Sequence, residues 1–394
     1  MVVPGYRPHD LIEQRFTVGF DYPVLFCADA LSPDDHALAW AIGHRELTRR
    51  HTVSVVLDQG LCDARAGLSE HVLSYVDRHR DVLELRSTPH VVPGGEAAKN
   101  DPGVIEALHR IFAAERLDRQ SAVLIVGGGA VLDAAGYAAS TVHRGMRVVR
   151  MPSTVLAQND GGVGVKTGVN AFGAKNFLGT FAPPHAVVNN AALLTTLSLR
   201  DTRAGLAEAV KVALIRDAAF FQWIEEHAAG LACGEPGRVG ALIRRSANIH
   251  LGHIRSGGDP FERDSARPLD YGHWAAHRLE ILSGHELRHG EAVGIGMLLD
   301  ARYAERAGFL SAADLERIGR LLRALGLPCS HRALGERTGG RLALLRGLDD
   351  FREHLGGALS VTLLRAIGTS GEVTAIDEQR MTEAVAWLVA QGTG

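Results

Sequence analysis

The chain has 394 residues, 46% of them hydrophobic, which is enough for a large core but more than one comfortable domain, so two domains are expected. A formal net charge of -3 without any basic block excludes an electrostatic footprint for nucleic acid or an anionic membrane, and apolar runs stop short of the roughly 20 residues a membrane helix needs, leaving a small-molecule partner. Cys27, Cys62, Cys233 and Cys329 are widely spaced, match no CxxC metal pattern and follow no signal segment, so a reducing cytoplasm is the expected location.

The first half reads as strands alternating with helices. VSVVL (53–57), AVLIV (122–126) and VVRMP (148–152) are short β-branched runs separated by helical patterns, the texture of a parallel sheet covered on both faces. Asp58 follows the first run, where a carboxylate either caps the turn or grips ribose hydroxyls in an open α/β sheet. The second run enters Gly127, Gly128 and Gly129 and then a helix, so that a tight turn brings free N–H groups towards an anion. The spacing is not GxGxxG, because Leu132 stands where a third separated glycine would be. Pyrophosphate binding and a plain strand–helix turn are therefore equal readings of this loop alone. In MPSTVLAQNDGGVGVKTGVNAFGAKNFLGTFAPP (151–184), Asp160, Lys166, Asn170, Lys175 and Asn176 stand among glycines, which suits phosphate and hydroxyl recognition better than core packing.

The texture changes near Pro183-Pro184. After about Asn189, Ala/Leu/Arg-rich segments repeat apolar residues at helical spacings, with few strand runs until LSVTLLRAIG (359–368). The expected fold class is α/β, a doubly wound first domain (1–188) followed by a mainly α-helical second domain (189–394), with a cleft between them as the default site. Within the second domain, LDYGHWAAHRLEILSGHELRHGEAV (269–293) carries four histidines among apolar residues. His273 and His277, at i and i+4, share a helix face and by spacing alone read as a ligand pair.

Taken in order, GGG-x3-D, HRG, PSTVLAQND, VKTGVN, KNFLG, GLAEAVK, GHWAAH and HGEAVGIGM resemble the 3-dehydroquinate synthase family of sugar phosphate cyclases, over roughly residues 50 to 370. The resemblance implies an NAD-binding α/β domain joined to a helical metal- and substrate-binding domain, in a homodimer. It places Glu208, His273 and His289 at three ligand positions for a divalent metal, zinc or alternatively cobalt, with a fourth place open to substrate. His277 then handles substrate and phosphate rather than metal, and His285, matching no motif, reads as an exposed loop residue. Lys166, Lys175, Asn176 and His277 are implied to hold the phosphate, with Arg144 reaching it from the second subunit. Asp160, Lys211 and Glu262 match hydroxyl-binding and catalytic positions, Lys211 with a part in proton transfer. Asp58, Glu96, Lys99, Gly127, Gly128, Gly129, Asp133, Ser153 and Thr154 match cofactor contacts, joined by Asp160, Lys166 and Lys175. The implied chemistry is oxidation, phosphate elimination, reduction and an intramolecular aldol closure, with NAD recycled within each turnover.

The departures narrow the substrate. The arginine that grips a substrate carboxylate in dehydroquinate synthases falls on Ala266, with Arg267 one place out of phase. The companion lysine upstream is missing from SANIHLGHIRSGGD, which offers His250 and His253, and the family's LNxGH reads LDYGH, adding Asp270 near the reacting groups. The usual C-terminal lysine is also gone, leaving Arg352 and His354 as candidate cations. An unpaired carboxylate in a dry site costs several kcal/mol, which favours a carboxylate-free ketose phosphate, sedoheptulose 7-phosphate, and a valiolone-type cyclitol product. His277 stands where the 2-epi-5-epi-valiolone type usually has proline, which points to a 2-epi-valiolone type or to a further branch of the family. A 3-dehydroquinate synthase and an NAD- and metal-dependent polyol or alcohol dehydrogenase are the alternatives.

Overall fold

The β-branched runs form a parallel sheet, as their composition dictates. In the computed structural model, which describes residues 11–257, 261, 268–354 and 359–391, nine strands build the first half. They are β1 (Val24–Cys27), β2 (His51–Asp58), β3 (Leu83–Leu85), β4 (His90–Val92), β5 (Ala122–Gly127), β6 (Arg147–Pro152), β7 (Lys166–Ala171), β8 (Ala174–Phe181) and β9 (Ala186–Asn190). Seven of them make one sheet in the order β1-β9-β6-β5-β2-β3, with β4 also pairing β2, and every pairing in it is parallel. Both faces are covered: Val53, Val55, Leu57, Leu124 and Val126 pack on one side, Val56, Val123 and Ile125 on the other. The two-residue pleat thus explains why these strands are apolar throughout rather than alternating.

The strand order reverses direction between β2 and β5. In an open α/β sheet, ligands collect outside the carboxyl ends of the strands at such a switch point. Asp58 ends β2 and Gly127 ends β5, so both expected cofactor elements meet there. β7 and β8 leave the sheet as a separate antiparallel hairpin.

Helices dominate from Leu199 onwards: Leu199–Arg216, Ala218–Ala232, Pro236–Ser256, His273–Leu282, His289–Arg306, Ala312–Ala324, Arg346–His354 and Glu378–Gln391, with Val361–Ala366 and Thr369–Val373 paired antiparallel near the end. They share one continuous apolar core distinct from the two packed on the sheet. The expected division between residues 188 and 189 falls inside β9, because two apolar valines and two asparagines continue the strand to Asn190. No helix among the described residues is long and apolar enough to cross a membrane.

The helices that carry the histidines approach unusually closely. A Cβ on Gly290 would run into the Ala204 carbonyl, and one on Gly296 into the Gly272 carbonyl. Gly290 and Gly296 of HGEAVGIGM are therefore contact points of helix His289–Arg306 with Leu199–Arg216 and with the start of His273–Leu282. Gly296→Ala is expected to destabilise the fold by about 1–3 kcal/mol through overpacking. Urea denaturation of the variant against the parent checks this; an unchanged midpoint contradicts the packing account.

Candidate active site

Three helices bring the expected metal ligands together. Glu208 comes from Leu199–Arg216, His273 opens His273–Leu282, and His289 opens His289–Arg306. Their ligating atoms all lie within 4.8 Å of one another. His273 Nε2 and His289 Nε2 each stand 3.5 Å from Glu208 Oε1. That oxygen is buried and has no hydrogen-bond partner among the described residues, an arrangement that costs free energy unless something else engages it. His273 Nδ1 lies 3.2 Å from the Tyr271 carbonyl, so the N–H faces the backbone and the lone pair of Nε2 faces Glu208. Two imidazoles and a carboxylate converging with one side open fit a divalent cation such as zinc.

A second layer surrounds the triad. Glu280 is buried, and its Oε2 lies 3.2 Å from His289 Nδ1. The same carboxylate accepts from Lys175 Nζ at 3.2 and 3.1 Å, and Lys175 stands 3.8 Å from Glu96. Burial pushes the Glu280 carboxyl up, but His289 and Lys175 outweigh it and hold it far below the ordinary range. His277 stacks on His289 with ring centroids 5.9 Å apart; burial, His273 and Lys175 depress its pKa well below the usual value, so it is a neutral imidazole. His277, Glu280 and His289 also form a group with ligand geometry, but Lys175 already occupies Glu280.

Lys211 is buried on the opposite flank, in contact with Glu208 and 3.9 Å from Asp160. Burial opposes its charge, yet Glu208, Asp160 and Asp270 together raise its pKa above the ordinary lysine value. Asp160 faces His250, whose Nδ1 lies 2.8 Å from Asp160 Oδ1. Burial raises the Asp160 carboxyl, and Lys211 and His250 bring it below its ordinary value. His250 therefore belongs to the site although the sequence reading offered it only as a substitute for a missing lysine.

At the switch point, Gly128 N donates to Asp58 Oδ2 at 3.2 Å, while Asp58 Oδ1 accepts from Gly60 N at 2.9 Å and from Leu61 N. The cap reading of Asp58 holds for the helix Gln59–Ala64, and the same carboxylate also braces the glycine loop. Gly127 has no room for a side chain, since a Cβ would lie 2.9 Å from Asp58 Cβ, whereas Gly129 opens onto free space. That opening at the start of helix Gly129–Thr141 fits a pyrophosphate. Thr154 caps Val155–Asn159 through Ala157 N, and Ser153 N donates to the Gly127 carbonyl at 2.9 Å, tying Ser153 to the same loop. Lys99 Nζ donates to Asp133 at 2.7 Å and contacts Asn176, while Asn170 donates to Glu96 at 3.0 Å. Glu96, Lys99, Asp133, Asn170, Lys175 and Asn176 thus form one polar wall.

Other expected residues stand apart. Lys166 is exposed and pairs in register with Phe181, at the opposite end of the hairpin from Lys175 and Asn176. Arg144 is exposed beyond the 13-residue helix Gly129–Thr141, about 20 Å along it from the glycine loop of its own subunit. Arg352 is exposed and lies 3.8 Å from Asp349, and His354 ends the same helix. Glu262, Ala266 and Arg267 lie outside the described residues. His285 is exposed in a loop, as its lack of a motif implies. The sequence reading missed Glu280, although 273, 277 and 280 follow helical spacing on one face.

Comparison with known proteins agrees with this geometry. The sequence matches the 3-dehydroquinate synthase N-terminal family over residues 89–204 and the 3-dehydroquinate synthase C-terminal family over residues 205–343. A 2-epi-5-epi-valiolone synthase of Streptomyces glaucescens is 40% identical over 260 residues, covering 64% of this chain and 66% of that relative. A 3-dehydroquinate synthase of Halorhodospira halophila is 36% identical over 328 residues, covering 79% and 88% of the two chains. The solved structure of ValA, a 2-epi-5-epi-valiolone synthase of Streptomyces hygroscopicus subsp. jinggangensis 5008 with NAD+ and Zn2+ bound, superposes with a TM-score of 0.85 at 29% identity, over 96% of this chain and 100% of that one. From the glycine loop to the Glu208–His273–His289 triad, the chain belongs to the 3-dehydroquinate synthase family of sugar phosphate cyclases.

Proposed function

We propose that the protein is an NAD- and metal-dependent cyclase that converts sedoheptulose 7-phosphate to a valiolone-type C7 cyclitol with loss of phosphate. The observation that carries the substrate choice is the charge around Lys211. Three carboxylates, Glu208, Asp160 and Asp270, act on that one ammonium. A divalent ion would bring the sum to neutrality and leave no surplus positive charge for a substrate carboxylate. The names of the relatives divide between valiolone and dehydroquinate synthases, and this local charge favours the former.

When bound, NAD+ supplies reversible hydride transfer and the divalent ion supplies Lewis acidity towards a substrate hydroxyl. The protein's own groups do the rest. Glu208, His273 and His289 hold the ion. Lys211 and Asp160, buried side by side, bind substrate hydroxyls and hold or pass the proton released from them. Lys175, Asn176 and the neutral His277 take the phosphate, with Lys166 joining them from the far end of the hairpin. Asp58, Gly127–Gly129, Ser153, Thr154, Glu96, Lys99 and Asp133 receive NAD+ at the switch point. Asp270 tunes the charge of Lys211, Glu262 binds a substrate hydroxyl, and Arg352 or His354 supplies the C-terminal cation.

The unit is a cytoplasmic homodimer, divided after β9 into cofactor and metal domains. Its support is the hairpin, whose Phe172, Phe177, Leu178 and Phe181 are exposed, and Arg144, which is exposed beyond the helix Gly129–Thr141. The test is incubation with NAD+, Zn2+ or Co2+ and either sedoheptulose 7-phosphate or the acidic heptulosonate phosphate of the shikimate route. Phosphate release from the former should exceed that from the latter ten- to hundredfold, the range of one charge-assisted contact of about 1.5–3 kcal/mol, with no accumulation of NADH. Efficient turnover of the heptulosonate alone would restore dehydroquinate synthase, and stoichiometric NADH would make the enzyme a dehydrogenase.

A further inference from the structure

Glu280 has one carboxylate and two masters. On one side it accepts from His289 Nδ1, whose Nε2 faces Glu208; on the other it accepts from Lys175 Nζ through both oxygens. Lys175 comes from β8 of the first half, Glu280 from helix His273–Leu282 of the second, and they are 105 residues apart in sequence. Lys175 also reaches Glu96, at 3.8 Å, on the cofactor wall. The carboxylate is buried among these partners, so its charge is not screened by water and neither contact is incidental.

We infer that Glu280 is a positioning residue that serves both halves of the site: it fixes the orientation of the metal ligand His289 and holds the hairpin lysine Lys175 beside it. The inference rests on the proposed metal-dependent reading of the triad. A carboxylate on the far nitrogen of a ligating imidazole fixes its tautomer and raises its basicity, and loss of such a partner typically weakens metal binding about 10- to 100-fold. The same carboxylate fixes where Lys175 points. A stronger donor at His289 Nδ1 draws charge from the Lys175 contact, so metal and anion binding are coupled through one group, and the coupling is reciprocal.

Glu280→Gln and Glu280→Ala separate the two duties. The glutamine carbonyl still accepts from His289 Nδ1–H but offers Lys175 no charge; alanine offers neither. Zinc affinity, measured by competition with a chromogenic chelator, should fall about 10- to 100-fold in Glu280→Ala and by less in Glu280→Gln. Affinity for inorganic phosphate, measured by calorimetry with NAD+ present, should fall about fivefold or more in both, the lower end of coupling between two sites. In the parent protein saturating zinc should change phosphate affinity, and that change should vanish in Glu280→Gln. Circular dichroism and the urea midpoint verify that the variants are folded; if the alanine variant is not, the glutamine variant carries the test through phosphate affinity and the lost coupling. Zinc and phosphate affinities within twofold of the parent in both folded variants would overturn the inference. Failure of the parent itself to bind zinc would instead overturn the metal-dependent reading, which distinguishes the two.

Discussion

Replacing His289 by alanine is expected to abolish stoichiometric metal binding and turnover together. The imidazole is one of the three proposed ligands among the described residues, its Nε2 standing 3.5 Å from Glu208 Oε1. Apparent binding energies of about 10–16 kcal/mol for four-ligand structural zinc imply about 3–4 kcal/mol per ligand, or a loss of two to three orders of magnitude in affinity. The variant also removes the imidazole that lies between Glu280 and Glu208, leaving Glu280 with Lys175 and Glu208 with Lys211 and His273. Inductively coupled plasma analysis after dialysis gives the metal content, and phosphate release gives the activity. Metal content near one equivalent with full turnover would remove His289 from the ligand set. His277→Ala is the companion measurement: it should keep the metal, because Nε2 of His273 and of His289 converge on Glu208 without it.

Much of this arrangement was legible in the sequence, for identifiable reasons. The sheet was readable because each of its central strands is a compact β-branched run covered on both faces, as with 53–57 and 122–126. The glycine loop was readable as a turn but not as a site, since a lone Gly-Gly-Gly follows from either; the switch point between β2 and β5 decides where it lies, and strand order is a long-range property. The triad shows the limit most clearly. Helical spacing pairs His273 with His277, whereas the fold draws on helices 65 and 81 residues from Glu208 in sequence for His273 and His289. Only the resemblance reached that answer. Glu280 was hidden because a glutamate in an amphipathic helix ordinarily faces solvent, and nothing local reveals that Lys175 will meet it. Lys166 shows the reverse: the motif groups it with Lys175 and Asn176, but the antiparallel hairpin carries it to the other end. Likewise Asp58 looked like a choice between a cap and a cofactor ligand, when a carboxylate with several lone pairs can brace both a helix start and the glycine loop.

A pH effect of comparable size is expected at Asp300, which sits on helix His289–Arg306 with no exposure to solvent. Its Oδ1 accepts from Trp274 Nε1 at 2.9 Å and its Oδ2 from Gly272 N at 3.1 Å, so it clasps the residues on either side of His273. Gly272 adopts φ +77, a left-handed turn that this contact helps to hold. Burial pushes the Asp300 carboxyl up to about 7 despite both hydrogen bonds. An unfolded aspartate titrates near about 3.9, so between about pH 4 and pH 7 the folded chain holds a proton that the unfolded chain has released. Stability therefore falls as pH rises through that window, by about 4 kcal/mol in total at about 1.4 kcal/mol per unit, and the loss is complete above the folded pKa. Asp300→Asn cannot ionise. It keeps one acceptor and turns its amide towards the other donor, at a roughly pH-independent cost of about 1–3 kcal/mol. The parent should accordingly be more stable than the variant near pH 4, and the order should reverse by pH 8 as the parent's carboxyl ionises. Urea denaturation of both proteins across this range, with chelator present so that metal contributes to neither, cancels every group they share. Parallel stability profiles would mean that the two donors outweigh burial and that Asp300 is ionised throughout, leaving it a clasp for His273 with no pH dependence of its own.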